Sequence, residues 1–134
     1  GSGADALELP TGTNEIVMNG AKVLTFAMDV VPDNVNLLLK KTKINKNKID
    51  KFIFHQASKY ILDNINRRLL ITKDKTFENY SKVGNTISAS IPIALKDASR
   101  MKKIKDKNLI LIAGYGVGLS WGSTLIKWSK IKWS

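Results

Sequence analysis

An α/β domain is the fold class this sequence predicts: a mixed β-sheet covered by helices, in the order α-α-β-α-(β)-α-β-β. Two short apolar runs, Phe52-Ile53-Phe54 within "IDKFIFH" (49–55) and "LILIAG" (109–114), are too short for helices and rich in β-favouring residues, so they read as buried strands. Most of the chain between and before them repeats its apolar residues at helical spacing. The third observation is "LSWGSTLIKW" (119–128), which follows a glycine-rich turn and reads as the hairpin partner of the second run.

The elements follow in order. Residues 1–20, with the turn-like "PTGTN" and Asn19-Gly20, read as loop and lead-in, and 21–134 as the domain. "AKVLTFAMDVV" spaces Val23, Phe26, Ala27 and Val30 as a helix. Pro32 suits a first helical turn, so a kink and a second helix carrying Val35, Leu38 and Leu39 are expected there. The basic loop "KKTKINKNK" leads to the first strand. "SKYILDNINRRL" then sets Ile61, Leu62, Ile65 and Leu69 on one face, with Lys59, Asp63, Asn66 and Arg67 largely away from it. A further helix beginning near Ser88 is apolar almost all round, through Ile87, Ile91, Ile93, Ala94, Leu95 and Ala98. Such a helix is buried on more than one side, so a cover beyond the sheet is expected.

Composition narrows the function classes. At 134 residues the chain is one domain, able to bury roughly two thirds of its unfolded surface. No apolar stretch approaches the ~20 residues of a membrane span, and the first residues show no secretory pattern, so a cytoplasmic protein is expected. With no Cys there is no disulfide, thiolate metal site or cysteine nucleophile within these residues, and one His without paired carboxylates leaves too few metal ligands. The net charge of +11 favours an acidic partner. Nucleic acid is disfavoured, because the lysines are not interleaved with aromatics on any recognisable element.

His55, the only histidine, is placed at the carboxyl end of a strand just before a helix, where open α/β sheets bind ligands. The helix N-terminus disfavours imidazolium, so a neutral ring could donate to a developing oxyanion. A buried structural histidine is the alternative. Asn85, after Gly84 and before the apolar helix, has the same loop-to-helix context, with a turn or cap role as its alternative. Two neutral donors aimed at one point would stabilise an enolate or a thioester oxygen. "GYGVGLSWG" is no phosphate loop, since no Lys-Ser/Thr follows and it joins two strands.

Taken together, "HQAS", "GNTISASIPIAL" and "GYGVGLSWGSTLIKW" resemble the C-terminal half of the β-ketoacyl-acyl carrier protein synthase III family, condensing enzymes of thiolase-like fold. "GSGADALEL" and "MNGAKVLTFA" resemble that family's preceding segments, so the likeness covers nearly the whole chain. The resemblance implies that His55 and Asn85 stabilise the enolate formed when a malonyl thioester decarboxylates, while an acyl group from acyl-CoA waits on a cysteine in the family's N-terminal half. It further implies an active-site loop at Gly116, Val117 and Gly118, a pantetheine side at Ala57 and Ser58, and docking of acyl carrier protein on Lys59, Arg67 and Arg68. No cofactor is implied, and a homodimer is expected.

The chain departs from the family at Ser58, where the motif has asparagine, at Tyr60, where an arginine often stands, and at Val117, which replaces a glycine. A related condensing enzyme of secondary metabolism, or a non-catalytic basic module keeping the fold, are the alternatives.

Overall fold

The structure, a computed structural model, describes residues 7–8, 11–12, 14, 17–116 and 118–129. Within the lead-in, β1 (Leu7–Glu8) pairs antiparallel with β2 (Val17–Met18), a short ladder that the loop reading of this segment did not contain. Asn19 then caps the next helix, its side chain accepting from the Lys22 N–H at 3.0 Å.

That helix, α1 (Gly20–Thr42), is continuous, where the sequence predicts a break at Pro32. A proline inside a helix has no N–H for the carbonyl four residues back, here that of Met28. Arg68 supplies a substitute donor: its Nη1 gives a hydrogen bond to the Met28 carbonyl at 2.5 Å and pairs with Asp29 Oδ1 at 2.6 Å. The expected two helices are therefore one, burying Ala27, Val31, Val35 and Leu39 at four-residue spacing. Arg68→Ala is expected to cost about 1 kcal/mol, seen as a lower urea midpoint at unchanged slope. The loss should shrink in a Pro32→Ala background, which restores the N–H; strictly additive effects would show that Arg68 does not serve the proline.

The main sheet has the order β3-β4-β5, with β3 (Lys51–Phe54) parallel to β4 (Leu109–Gly116) and β4 antiparallel to β5 (Ser120–Lys127). Its alternation explains why the two apolar runs are unbroken. Phe52, Phe54, Leu111 and Ala113 join a cluster with Val31, Val35 and Leu39 of α1 and with Leu62 and Ile65 of α2 (Lys59–Arg68). Ile53 and Ile110 point the other way, into a cluster with Ala94 and Ala98 of α4 (Ser90–Arg100). Strands with helices on both faces need apolar residues at every position, and parallel pairing of β3 with β4 follows from the helical crossover between them. Before α4 comes a single helical turn, α3 (Tyr80–Val83). The bracketed strand of the sequence reading is reduced to one parallel bridge, Phe52 to Thr76.

Two further differences concern polar and apolar faces. Asn66, assigned to the outer face of α2, is buried, and its Nδ2 donates to Glu78 Oε1 at 3.2 Å. On α4 the small residues Ser90, Ala94 and Ala98 form the buried stripe, letting the helix lie close to the sheet. A Cβ at Gly114 would stand 3.1 Å from Ile91 Cδ1, so the glycine makes room for that approach. The preceding turn is open: Ile87 is 72% exposed, while Ile91 and Ile93 are half-buried. The helix is thus covered by the sheet on one side, and the turn that leads into it, 87–89, is exposed among the described residues.

Candidate active site

Three segments meet at the carboxyl ends of the parallel strands β3 and β4, the position at which open α/β sheets bind ligands. They are the β3–α2 loop, the turn entering α4, and the end of the β4–β5 hairpin. Together with the start of α1 they line a groove of about 890 Å³. Its lining residues include His55, Ala57, Asn85, Gly116 and Trp121, and none of the described lining residues is charged. A mostly apolar cleft with a few convergent neutral donors is suited to an uncharged or delocalised group.

His55 leaves β3 with its backbone N–H still on the ladder, donating to the Ala113 carbonyl at 3.0 Å. Its ring packs edge-on to Tyr115, centroids 5.2 Å apart, and Nδ1 lies 2.6 Å from Ser90 Oγ. Burial holds the imidazole below its usual range, so the ring is neutral at pH 7. The helix terminus touching the ring is that of α4, through its first residue Ser90, and not the α2 terminus that follows His55 in sequence. Burial also pushes the Tyr115 phenol up.

Asn85 is part turn residue and part free donor. Its Oδ1 accepts from the Ile87 N–H at 2.9 Å, which leaves the Nδ2 hydrogens without a partner among the described residues. The amide is thereby oriented with its donor end available. Ile87, the partner, has φ of +51°, a conformation β-branched residues avoid, so this turn holds local strain beside the site.

The remaining sequence-predicted residues divide. Ala57 and Gly116 line the groove with His55 and Asn85. Gly118 sits in the hairpin turn with φ of +136°, where a Cβ would stand 3.2 Å from the Ser120 nitrogen; Val117 lies outside the described residues. Ser58 is not in the lining, and its hydroxyl caps α2 by accepting from the Ile61 N–H at 3.4 Å. Lys59 pairs with Asp63 and Arg67 donates to Asn64 Oδ1, both on α2. Arg68, as described, is engaged with α1. Among the described residues no group of His, Cys, Asp or Glu is gathered as a metal site, and no helix is long and apolar enough to cross a membrane.

Sequence reasoning missed Ser90 and Tyr115. Ser90 carried a legible signal, a hydroxyl on the inner face of an otherwise apolar helix. The orientation of Tyr115 towards His55 depends on strand register alone.

A three-stranded mixed sheet between helices, with a groove at the carboxyl ends of its parallel strands, is a thiolase-like architecture. Residues 39–128 match the family model described as 3-oxoacyl-[acyl-carrier-protein (ACP)] synthase III C terminal, and the chain belongs to that family. It is 45% identical over 117 residues to a beta-ketoacyl-[acyl-carrier-protein] synthase III of Prochlorococcus marinus (strain MIT 9515), covering 87% of this chain and 35% of the relative. Against the protein of the same name from Staphylococcus aureus (strain Newman) the identity is 38% over 130 residues, 97% of this chain and 42% of the relative. Among solved structures, the 3-oxoacyl-(acyl carrier protein) synthase III of Pseudomonas aeruginosa PAO1 superposes with a TM-score of 0.92 at 30% identity, covering 98% of this chain and 42% of that one. The synthase III of Aquifex aeolicus VF5 gives 0.90 at 34%, over 96% of this chain and 41% of that one. The chain thus spans well under half the length of these relatives.

Proposed function

We propose that the chain is the C-terminal catalytic part of a 3-oxoacyl-acyl carrier protein synthase III, acting in fatty acid biosynthesis by decarboxylative Claisen condensation. The observation that carries this is the meeting of His55 and Asn85 in one groove, where no described lining residue is charged and the Asn85 amide turns its donor end free. As malonyl-acyl carrier protein loses carbon dioxide, the electron pair of the breaking carbon–carbon bond passes into the thioester. Negative charge then develops on the thioester oxygen, which the imidazole and the carboxamide stabilise by hydrogen bonds. The α-carbon attacks the acyl thioester held on a cysteine of the N-terminal half, and the cysteine leaves as thiolate. The reaction needs no cofactor.

The acyl group, from acyl-CoA, has no carrier within these residues, since the sequence contains no Cys. Incubated with acyl-CoA, the 134-residue chain is expected to show no acyl adduct by intact mass, and to support 3-oxoacyl product only when joined to the cysteine-bearing half. A stoichiometric adduct on this chain would overturn the reading.

The basic charge lies outside the groove and suits docking of acidic acyl carrier protein at Lys59, Arg67 and Arg68. Because Arg68 also holds α1, Arg67→Glu is the cleaner test. It should raise KM for malonyl-acyl carrier protein far more than for a malonyl-pantetheine mimic, and less so at high salt. Equal effects on the two substrates would assign Arg67 to the fold. Ala57 and Ser58 on the pantetheine side, the Gly116-Val117-Gly118 loop, a cytoplasmic setting and a homodimer belong to the same reading, as do the boundaries 1–20 and 21–134.

A further inference from the structure

We propose that Ser90 is a positioning residue whose hydroxyl donates to His55 Nδ1 and so keeps the imidazole proton on Nε2. A hydroxyl has one proton and two lone pairs. Ser90 Oγ lies 2.6 Å from His55 Nδ1 and 3.3 Å from the Gln56 backbone nitrogen. The Gln56 N–H can only donate, so it occupies a lone pair. Among the described residues that leaves Nδ1 as the one acceptor within reach of the hydroxyl proton. If Nδ1 were protonated instead, its N–H and that of Gln56 would fill both lone pairs, and the hydroxyl proton would have no acceptor among the described residues in a side chain that is 1% exposed. The Nδ1-accepting arrangement is therefore favoured, and a neutral ring then carries its hydrogen on Nε2, which has no partner among the described residues.

The surroundings hold this geometry in place. Gln56 is fully buried; its Nε2 donates to the Phe54 carbonyl at 2.8 Å and its Oε1 accepts from the Asn79 N–H at 2.9 Å. The peptide between His55 and Gln56 is therefore fixed, and with it the direction of the N–H that takes the first lone pair. Tyr115 packs edge-on against the imidazole and limits its rotation. Ser90 begins α4 five residues after Asn85, so one segment provides both the carboxamide donor and the group that orients the other donor.

The kinetic consequence rests on the enolate-stabilising reading of His55, whereas the tautomer does not. His55 is the only histidine, so 15N-histidine labelling of this chain gives a single imidazole to observe by NMR. The wild-type neutral ring is expected to show Nε2 protonated and Nδ1 bare. Ser90→Ala should mix the two tautomers and, in the assembled enzyme, lower kcat for malonyl decarboxylation by about 10- to 100-fold, the size of effect seen when a metal-ligating histidine loses its outer partner, with KM little changed. Ser90→Thr, which keeps the hydroxyl, should restore both. A wild-type spectrum with Nδ1 protonated overturns the proposal whatever the variants do, and so does an unchanged tautomer in Ser90→Ala. If His55→Ala decarboxylates at the wild-type rate, the enolate reading falls, and the spectrum alone still decides the role of Ser90.

Discussion

His55→Ala and Asn85→Ala, each made in the assembled enzyme, are expected to slow malonyl decarboxylation by about 10²- to 10³-fold, while acylation of the cysteine survives better. On the proposed function each substitution removes one preorganised donor from the oxygen on which charge develops, and single donors of this kind have effects of that size. The two half-reactions separate in single-turnover assays. Equal loss in both would point to a structural role. The pH dependence has a definite sign. Burial lowers the His55 pKa, so the donor-competent neutral ring persists through neutrality, and the rate should fall only as pH drops below the ordinary histidine value of 6.5. Stability has the same direction: below that value the unfolded chain takes up a proton that the buried ring resists, so acid favours unfolding.

The 134-residue chain alone is expected to self-associate, with a two-fold pair as the simplest closed form. Ile87 is 72% exposed and Trp121 51% exposed, both at the groove, and β5 is an edge strand eight residues long. Apolar surface beside an open strand edge favours pairing with another chain. Light scattering over a dilution series reads the result. Ile91 is unsuitable as the probe because it packs against Gly114, whereas Ile87→Asp changes an exposed residue and should shift the balance towards monomer. A monomer at all concentrations, with Ile87→Asp indistinguishable from it, would mean that the groove face is tolerated in water as it stands.

Much of the site was legible before the fold. His55 and Asn85 each sit at a loop-to-helix boundary that local signals mark, a short β-favouring run before one and Gly84 before the other, and the groove brings them together. What those signals could not supply was the helix end that matters. The sequence places His55 before α2, yet the residue on its ring comes from α4, 35 positions away. Arg68 illustrates the same limit: it reads as a surface cation and is exposed, yet its guanidinium also holds the Met28 carbonyl.

The break expected at Pro32 shows most plainly where local reading ends. From sequence alone came strands within 49–55 and at 109–114, the amphipathic face of α2 and the absence of any thiol, because side-chain alternation, helical spacing and composition are properties of neighbouring residues. Tertiary structure alone decided that α1 runs through its proline, that Asn66 is buried and that Ser90 meets His55. Each of these depends on a hydrogen-bond partner distant in sequence: Arg68 for Met28, Glu78 for Asn66, and His55 for Ser90. A buried polar group or an orphaned carbonyl is costly without such a partner, and which partner arrives is set by the packing of whole elements.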